Sequence, residues 1–181
     1  MSITICENTI SSIFLAAALG ASPLLAKSGI PAIKPDIANI EVKEKKLDQK
    51  AIDTVALTIF KEAAGESRDG KIAVASVIWN RAVRWYGSKS KLSGVCKQPK
   101  WFSCWNDGPL LVSDIPKDKA SQDAWKYSLA IAQDMVAGTF TPTTTADHYH
   151  ATYIPYPWEK PMKYLKTIGK HKFYDSKRKM K

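Results

Sequence analysis

The sequence predicts a mainly helical α+β domain that closes on a short β or loop segment. Two observations carry this. Apolar residues recur at spacings of three and four in three separate stretches, the signature of helices with one face turned to a core. After residue 138 that period stops, and threonines, tyrosines and prolines dominate up to residue 174.

The first helix is placed at 49–63, where Ile52, Val55, Ala56, Ile59 and Ala63 repeat in phase. Asp48 is its N-cap, Leu47 and Ile52 suit a hydrophobic staple, and Gly65 is set as the C-cap. The second helix is placed over 69–85, with Val74, Val77 and Ile78 inward and Gly87 ending it. Residues 88–116 read as a loop rich in Gly, Pro and aromatic rings. A third helix follows over 117–137, with Ala124, Tyr127, Ile131 and Met135 in phase and Gly138 after it.

Residues 13–26 form an uncharged run rich in Ala and Leu and broken by Pro23. It is short for a membrane span and suits a signal-peptide core, with small residues at Ala18, Gly20 and Ala21. No Lys or Arg precedes it and Glu7 is acidic, so an uncleaved anchor fits as well. Residues 1–27 are therefore read as a signal or signal-anchor segment, with 10–26 available for membrane association. Residues 28–46 are read as a linker, 47–174 as the folded domain and 175–181 as a basic tail.

The 181 residues carry 27 Lys and Arg against 17 Asp and Glu, a net charge of +10. That balance favours an anionic partner such as a membrane surface or a cell-wall polymer. The sequence has no nucleic-acid-binding signature, and a monomer is expected. Cys96 and Cys104 flank a short loop and fit either a disulfide or two free thiols.

Glu62 stands out chemically. It follows Ile59 by three and Val55 by seven, which puts it on the inward face of the first helix. A carboxylic acid held against apolar walls resists ionisation, and a neutral acid is what glycosidic-bond cleavage needs as proton donor. A glutamate so near a helix end also fits a residue that merely emerges into solvent. Glu66 is the nearest second carboxylate, with Asp107 and Asp147 behind it; it also fits a cap for the second helix.

Glu62-Ala63-Ala64-Gly65-Glu66-Ser67, followed by Ala73-Val74-Ala75-Ser76-Val77-Ile78-Trp79-Asn80-Arg81, resembles the SleB-type cell wall hydrolases. These include spore cortex-lytic enzymes and related bacterial and phage proteins. Trp101-Phe102-Ser103, Trp105-Asn106-Asp107-Gly108, Tyr149-His150, Pro157-Trp158 and the block from Thr167 to Tyr174 fall in the same order. Ala64 departs from the pattern, standing where many relatives have Arg.

The resemblance implies a lysozyme-like domain acting on peptidoglycan glycan strands, with Glu62 as catalytic acid and Glu66 as a second candidate. It implies cleavage of the MurNAc–GlcNAc bond by lytic transglycosylation, giving a 1,6-anhydro sugar. Trp101, Phe102, Trp105, Tyr149 and Trp158 are expected to form the sugar platform, with Ser103, Asn106 and His150 as hydrogen-bonding partners. The protein would act in the periplasm or cell wall, or in the host envelope if phage-encoded. No cofactor and no metal are expected. His148 and His150 would need His171 or Glu62 to complete a zinc site, as the alternative of an N-acetylmuramoyl-L-alanine amidase would require. A non-catalytic wall-binding or virion module is the other alternative.

Overall fold

The computed structural model describes residues 46–157 and 160–177. The signal or anchor segment, the linker before Lys46, Trp158 and the end of the basic tail lie outside the described residues. Among the described residues no helix is long and apolar enough to cross a membrane.

Helix α1 (Gln49–Ala63) starts on Asp48, whose carboxylate accepts the Ala51 N–H at 3.1 Å. Every residue from Thr54 to Phe60 is buried. The hydroxyls of Thr54 and Thr58 satisfy themselves on the carbonyls of Lys50 and Thr54. α1 is therefore a central post, packed against α2 (Arg68–Tyr86), α3 (Leu92–Cys96) and α4 (Lys119–Ala137). A helix buried all round has no single inward face. Glu62 is half-buried because it occupies the last turn, where the post emerges.

The end of α1 differs from the expectation of a Gly65 cap. Its C-cap is Ala64, still right-handed at φ −55°, ψ −44°. The ammonium of buried Lys71 reaches back instead and donates to the carbonyls of Ala64 and Glu66. Burial lowers the pKa of Lys71 and the charge of Glu66 raises it again. A cation at this place also suits the negative end of the helix dipole.

α2 is capped by Ser67, not Glu66; the Ser67 hydroxyl accepts the Gly70 N–H at 3.3 Å. Gly87, left-handed at φ +66°, ends it as expected. α4 runs between Asp118 and Gly138. Its Tyr127, expected inward, is exposed, and Ser128 takes the buried position. The stretch 88–116 is less loop-like than expected: it holds α3 and 3₁₀ turns at Lys89–Lys91, Ser103–Trp105 and Val112–Asp114.

The C-terminal part forms an antiparallel sheet of β1 (His148–Ala151), β2 (Lys163–Ile168) and β3 (His171–Asp175), with β3 in the middle. Phe173 of β3 is fully buried against Val74 and Val77 of α2, which joins sheet to helices.

Between α4 and the sheet the chain runs irregularly over 143–147, meeting β3 only at its end, where the Asp147 N–H donates to Tyr174 O at 3.0 Å. Its backbone groups still need partners, and α2 supplies them. Ser76 Oγ accepts the Thr143 N–H at 3.0 Å, and Asn80 Nδ2 donates to Thr144 O and Ala146 O, each at 2.8 Å. Arg81 Nε donates to Asp147 O at 2.7 Å, and Arg84 to Thr145 O at 2.8 Å.

Asp147 itself is fully buried. Its carboxylate pairs with His148 Nδ1 at 2.8 Å, accepts the Ser176 N–H at 2.9 Å and hydroxyl at 2.6 Å, and lies 3.6 Å from Arg84. Burial pushes its pKa up, but these hydrogen bonds outweigh it and hold the group below its ordinary 3.8. The stabilisation is thus present above that value and is lost as pH falls through the lower folded-state value. Asp147→Ala is expected to cost about 3 kcal/mol at neutral pH, since it strips partners from buried polar groups. Urea melts at neutral pH and below pH ~4 test this. The wild-type advantage should shrink in acid.

Candidate active site

A cleft of about 550 Å³ opens where the last turn of α1, the 100–103 segment, β1 and the start of β3 meet. A smaller hollow of about 350 Å³, lined by Asp48, Lys89 and Val136 among others, does not include Glu62.

Glu62 lines the larger cleft, and both its oxygens are held. Oε2 accepts the Tyr149 hydroxyl at 2.8 Å. Oε1 faces the Cys104 N–H at 3.3 Å and the Ser103 hydroxyl at 3.4 Å. The walls expected to be apolar are thus polar donors on two sides. Burial drives the Tyr149 pKa well up, and the charge and hydrogen bond of Glu62 add to it. The phenol therefore stays protonated and remains a donor to the carboxylate.

Cys96 and Cys104 are both free thiols. Burial pushes Cys96 up to about 12. Cys104 is also raised, by burial and then by the charge of Glu62 beside it. Neither supplies a thiolate at neutral pH.

Arg81 forms the back of the cleft. Only 6% exposed, its guanidinium donates to Asp147 O and, at 3.4 Å, to Trp101 O. It lies 5.0 Å from the Phe102 ring centre and 5.1 Å from that of Trp101. Burial lowers its pKa, opposed by Tyr149, Asp147, Cys96 and Glu62. The sequence argument left Arg81 out, although it follows Val77 by four and Val74 by seven and so meets the phase criterion applied to Glu62.

Of the expected residues, Glu62, Trp101, Ser103, Tyr149 and His150 line the cleft together. Phe102 does not: it is 1% exposed and packs in the core beneath Arg81. Trp105 points elsewhere, donating from Nε1 to Thr58 Oγ1 at 2.9 Å and packing near Phe60 and Leu57. Trp158 lies outside the described residues. Asn106 and Asp107 are exposed and away from the lining. Trp85, Lys100, Tyr153 and Tyr156 line the cleft without having been singled out. Trp85 meets Trp101 edge to face at 5.0 Å, the kind of ring pair a Trp on a helix end invites.

Glu66 is not in the lining. Its side chain, 7% exposed, accepts the Lys170 N–H at 3.2 and 3.3 Å in the turn between β2 and β3. His171 follows, its Nδ1 3.7 Å from Glu66 Oε1 and without a hydrogen-bond partner. Burial lowers the His171 pKa, against the charges of Glu66 and Glu62. Its ring meets Tyr149 edge to face at 5.1 Å.

The two histidines of β1 are engaged locally, His148 with Asp147 and His150 with Ala151 O and Tyr174 Oη at 2.8 and 3.2 Å. Among the described residues no three His, Cys, Asp or Glu side chains gather as a metal-ligand set.

Residues 65–174 match the family model described as Cell Wall Hydrolase, a span that begins just after Glu62. The fold is similar to the catalytic domain of the Bacillus cereus SleB protein, at 26% identity and TM-score 0.52, over 72% of this chain and 94% of that one. It is similar also to the catalytic domain of the germination-specific lytic transglycosylase SleB from Bacillus anthracis. There the identity is 29% and the TM-score 0.52, over 71% of this chain and 96% of that one. No curated protein matches.

Gly169 is left-handed at φ +55°, and a Cβ there would overlap the Glu66 carboxylate. Gly169→Ala should therefore cost about 2 kcal/mol by adding αL strain and expelling Glu66. A double-mutant cycle with Glu66→Ala, read by thermal unfolding, should show less than additive loss. Strict additivity would mean that the two positions do not meet.

Proposed function

We propose, for a chain that belongs to the cell wall hydrolase family and shares the SleB-type fold, that the cleft cuts peptidoglycan glycan strands by lytic transglycosylation with Glu62 as acid and base. The observation that carries this is the composition of the cleft. Glu62 is the one carboxylate among the described lining residues, and its orientation is fixed from two sides.

Glu62 in its protonated form donates to the oxygen linking MurNAc C1 to GlcNAc O4. That C1–O4 bond breaks and GlcNAc leaves with a 4-hydroxyl. Positive charge develops at the sugar ring, in line with the oxocarbenium character of such transition states. The Glu62 carboxylate then takes the proton of the MurNAc C6 hydroxyl. The C6 oxygen attacks C1 and closes the 1,6-anhydro ring, which returns Glu62 to its starting state. One carboxylate serves both steps.

Hydrolysis by water would ordinarily use a second carboxylate on the cleft, roughly 5–10 Å from the first. Glu66 is bound up in the β2–β3 turn, which favours the single-acid route. We assign Tyr149, Ser103 and the Cys104 N–H to positioning Glu62, and Trp101 to stacking against the apolar face of a sugar ring. His150 borders the same wall. Phe102 and Trp105 are assigned to packing. Action on the wall places the protein in the cell envelope.

Glu62→Gln keeps the side chain's size and removes its proton. It is expected to lower turnover of purified peptidoglycan by about 10²–10⁴-fold while leaving the thermal midpoint close to wild type. Mass spectrometry of the wild-type digest should show 1,6-anhydro-MurNAc ends. Reducing MurNAc ends would point to hydrolysis. Release of stem peptide, lost in EDTA and restored by zinc, would point to the amidase.

A further inference from the structure

We propose that Lys100 recognises a carboxylate of the substrate, so that the cleft selects glycan whose muramyl residue carries a free acid group. This rests on the glycan-cleaving reading above and names what that site prefers.

The first support is the charge of the cleft. Against the single carboxylate of Glu62, the described lining holds two basic side chains, Arg81 and Lys100. A neutral oligosaccharide gives such a lining nothing to balance.

The second is the difference between the two cations. Arg81 is committed inside the fold, to two carbonyls and three aromatic rings. Lys100 is exposed, and its ammonium has no hydrogen-bond or ion-pair partner among the described residues. It is the cation left for a ligand.

The third is the backbone. Lys100 is left-handed at φ +65°, a conformation that suits glycine and strains a lysine. The turn that sets it is closed by the Trp101 N–H on Gln98 O at 3.1 Å. The strained residue thus precedes Trp101, whose ring forms a wall of the cleft. Strain kept where glycine would relieve it is a reason to look for function at that side chain.

Muramic acid differs from glucosamine by a lactyl ether at C3. That group ends in a carboxylate, free or amide-linked to a stem peptide that has carboxylates of its own. A sugar stacked on Trp101 lies in the cleft that Lys100 also lines. The recognised chemistry is a carboxylate, and the two sources can be separated.

The test compares the wild-type full chain with Lys100→Gly and Lys100→Arg on three substrates. These are intact peptidoglycan, glycan strands stripped of peptide so that lactyl carboxylates are free, and the stripped strands with those carboxylates amidated. Formation of 1,6-anhydro ends is the readout. Lys100→Gly should lower kcat/KM by roughly three- to tenfold on acid-bearing strands, the scale of one lost solvent-exposed ion pair or ordinary hydrogen bond. The loss should sit in KM, and Lys100→Arg should recover most of it.

Amidated strands should bring wild type down to the level of Lys100→Gly. A loss on stripped strands assigns the lactyl group; a loss confined to intact wall assigns the stem peptide. Lys100→Gly removes backbone strain, so its thermal midpoint should match or exceed wild type and misfolding will not mimic the result. Equal kcat/KM for wild type and Lys100→Gly on all three substrates overturns this inference and leaves glycan cleavage standing. So does an equal loss on amidated strands. Absence of any glycan product from wild type overturns both.

Discussion

The site depends on one buried guanidinium. Arg81 reaches Asp147 O on one side and Trp101 O on the other, over the ring of Phe102. Asp147 stands two residues before Tyr149, and Trp101 two before Ser103. Those are the segments that hold Glu62 from opposite sides. Little regular structure fixes either at that point. The first is the entry to β1, joined to β3 by the Asp147 N–H on Tyr174 O, and the second is a single 3₁₀ turn. A desolvated cation is expensive unless its hydrogen bonds and charge are met. Here carbonyls, aromatic faces and nearby carboxylate charge meet them, so the cost of burial enforces one arrangement of both segments. Loosening Arg81 would release the acid's donors without touching the acid.

Two glutamates four residues apart show how environment, not residue type, assigns a role. Glu62 leaves the post of α1 at the point where the core ends and a cleft begins. Glu66 lies past the α1–α2 corner, where the β2–β3 turn approaches so closely that position 169 must be glycine. Its carboxylate is used by the Lys170 N–H. The corner between them is drawn tight by Lys71, which takes up the carbonyls of Ala64 and Glu66. A continuous helix would have put both carboxylates on one face. The corner separates them, and His171 and Tyr149, ring against ring, fill the way from one to the other.

How much could be read beforehand follows the range of the forces involved. The ends of α1, α2 and α4 were legible to within a residue or two because Asp48, Gly87 and Gly138 act on their own turn. The pairing of β1 with β3 was not, because its partners lie far apart in sequence and the 143–147 run is held by side chains of α2. Lys71 escaped notice for the same reason: a lysine seven residues away replaced the local glycine cap. Aromatic residues could be counted in the 101–105 stretch but not oriented. Phe102 and Trp105 turn into different parts of the core while Trp101 faces the cleft. Trp101 and Phe102 precede the 3₁₀ turn, and Phe102 is extended at φ −134°, ψ 117°, where successive side chains point to opposite sides.

Glu62 projects from a densely packed helix, which fixes its place in the cleft. α1 has little freedom to shift, since Thr54 through Phe60 are surrounded. What can vary is the pair of flanking segments, and both are tied to α2 through Arg81, Asn80 and Ser76. The Glu62 carboxylate thus stands on rigid scaffold, while its donors come from β1 and from the irregular 103–104 backbone. That division explains why so many unusual residues collect on α2, whose polar face carries Ser76, Asn80, Arg81 and Arg84 into the interior. An apolar face there would pack as well against a regular strand. It would leave the carbonyls of 144–147 without donors, and the strand bearing Tyr149 without a fixed start.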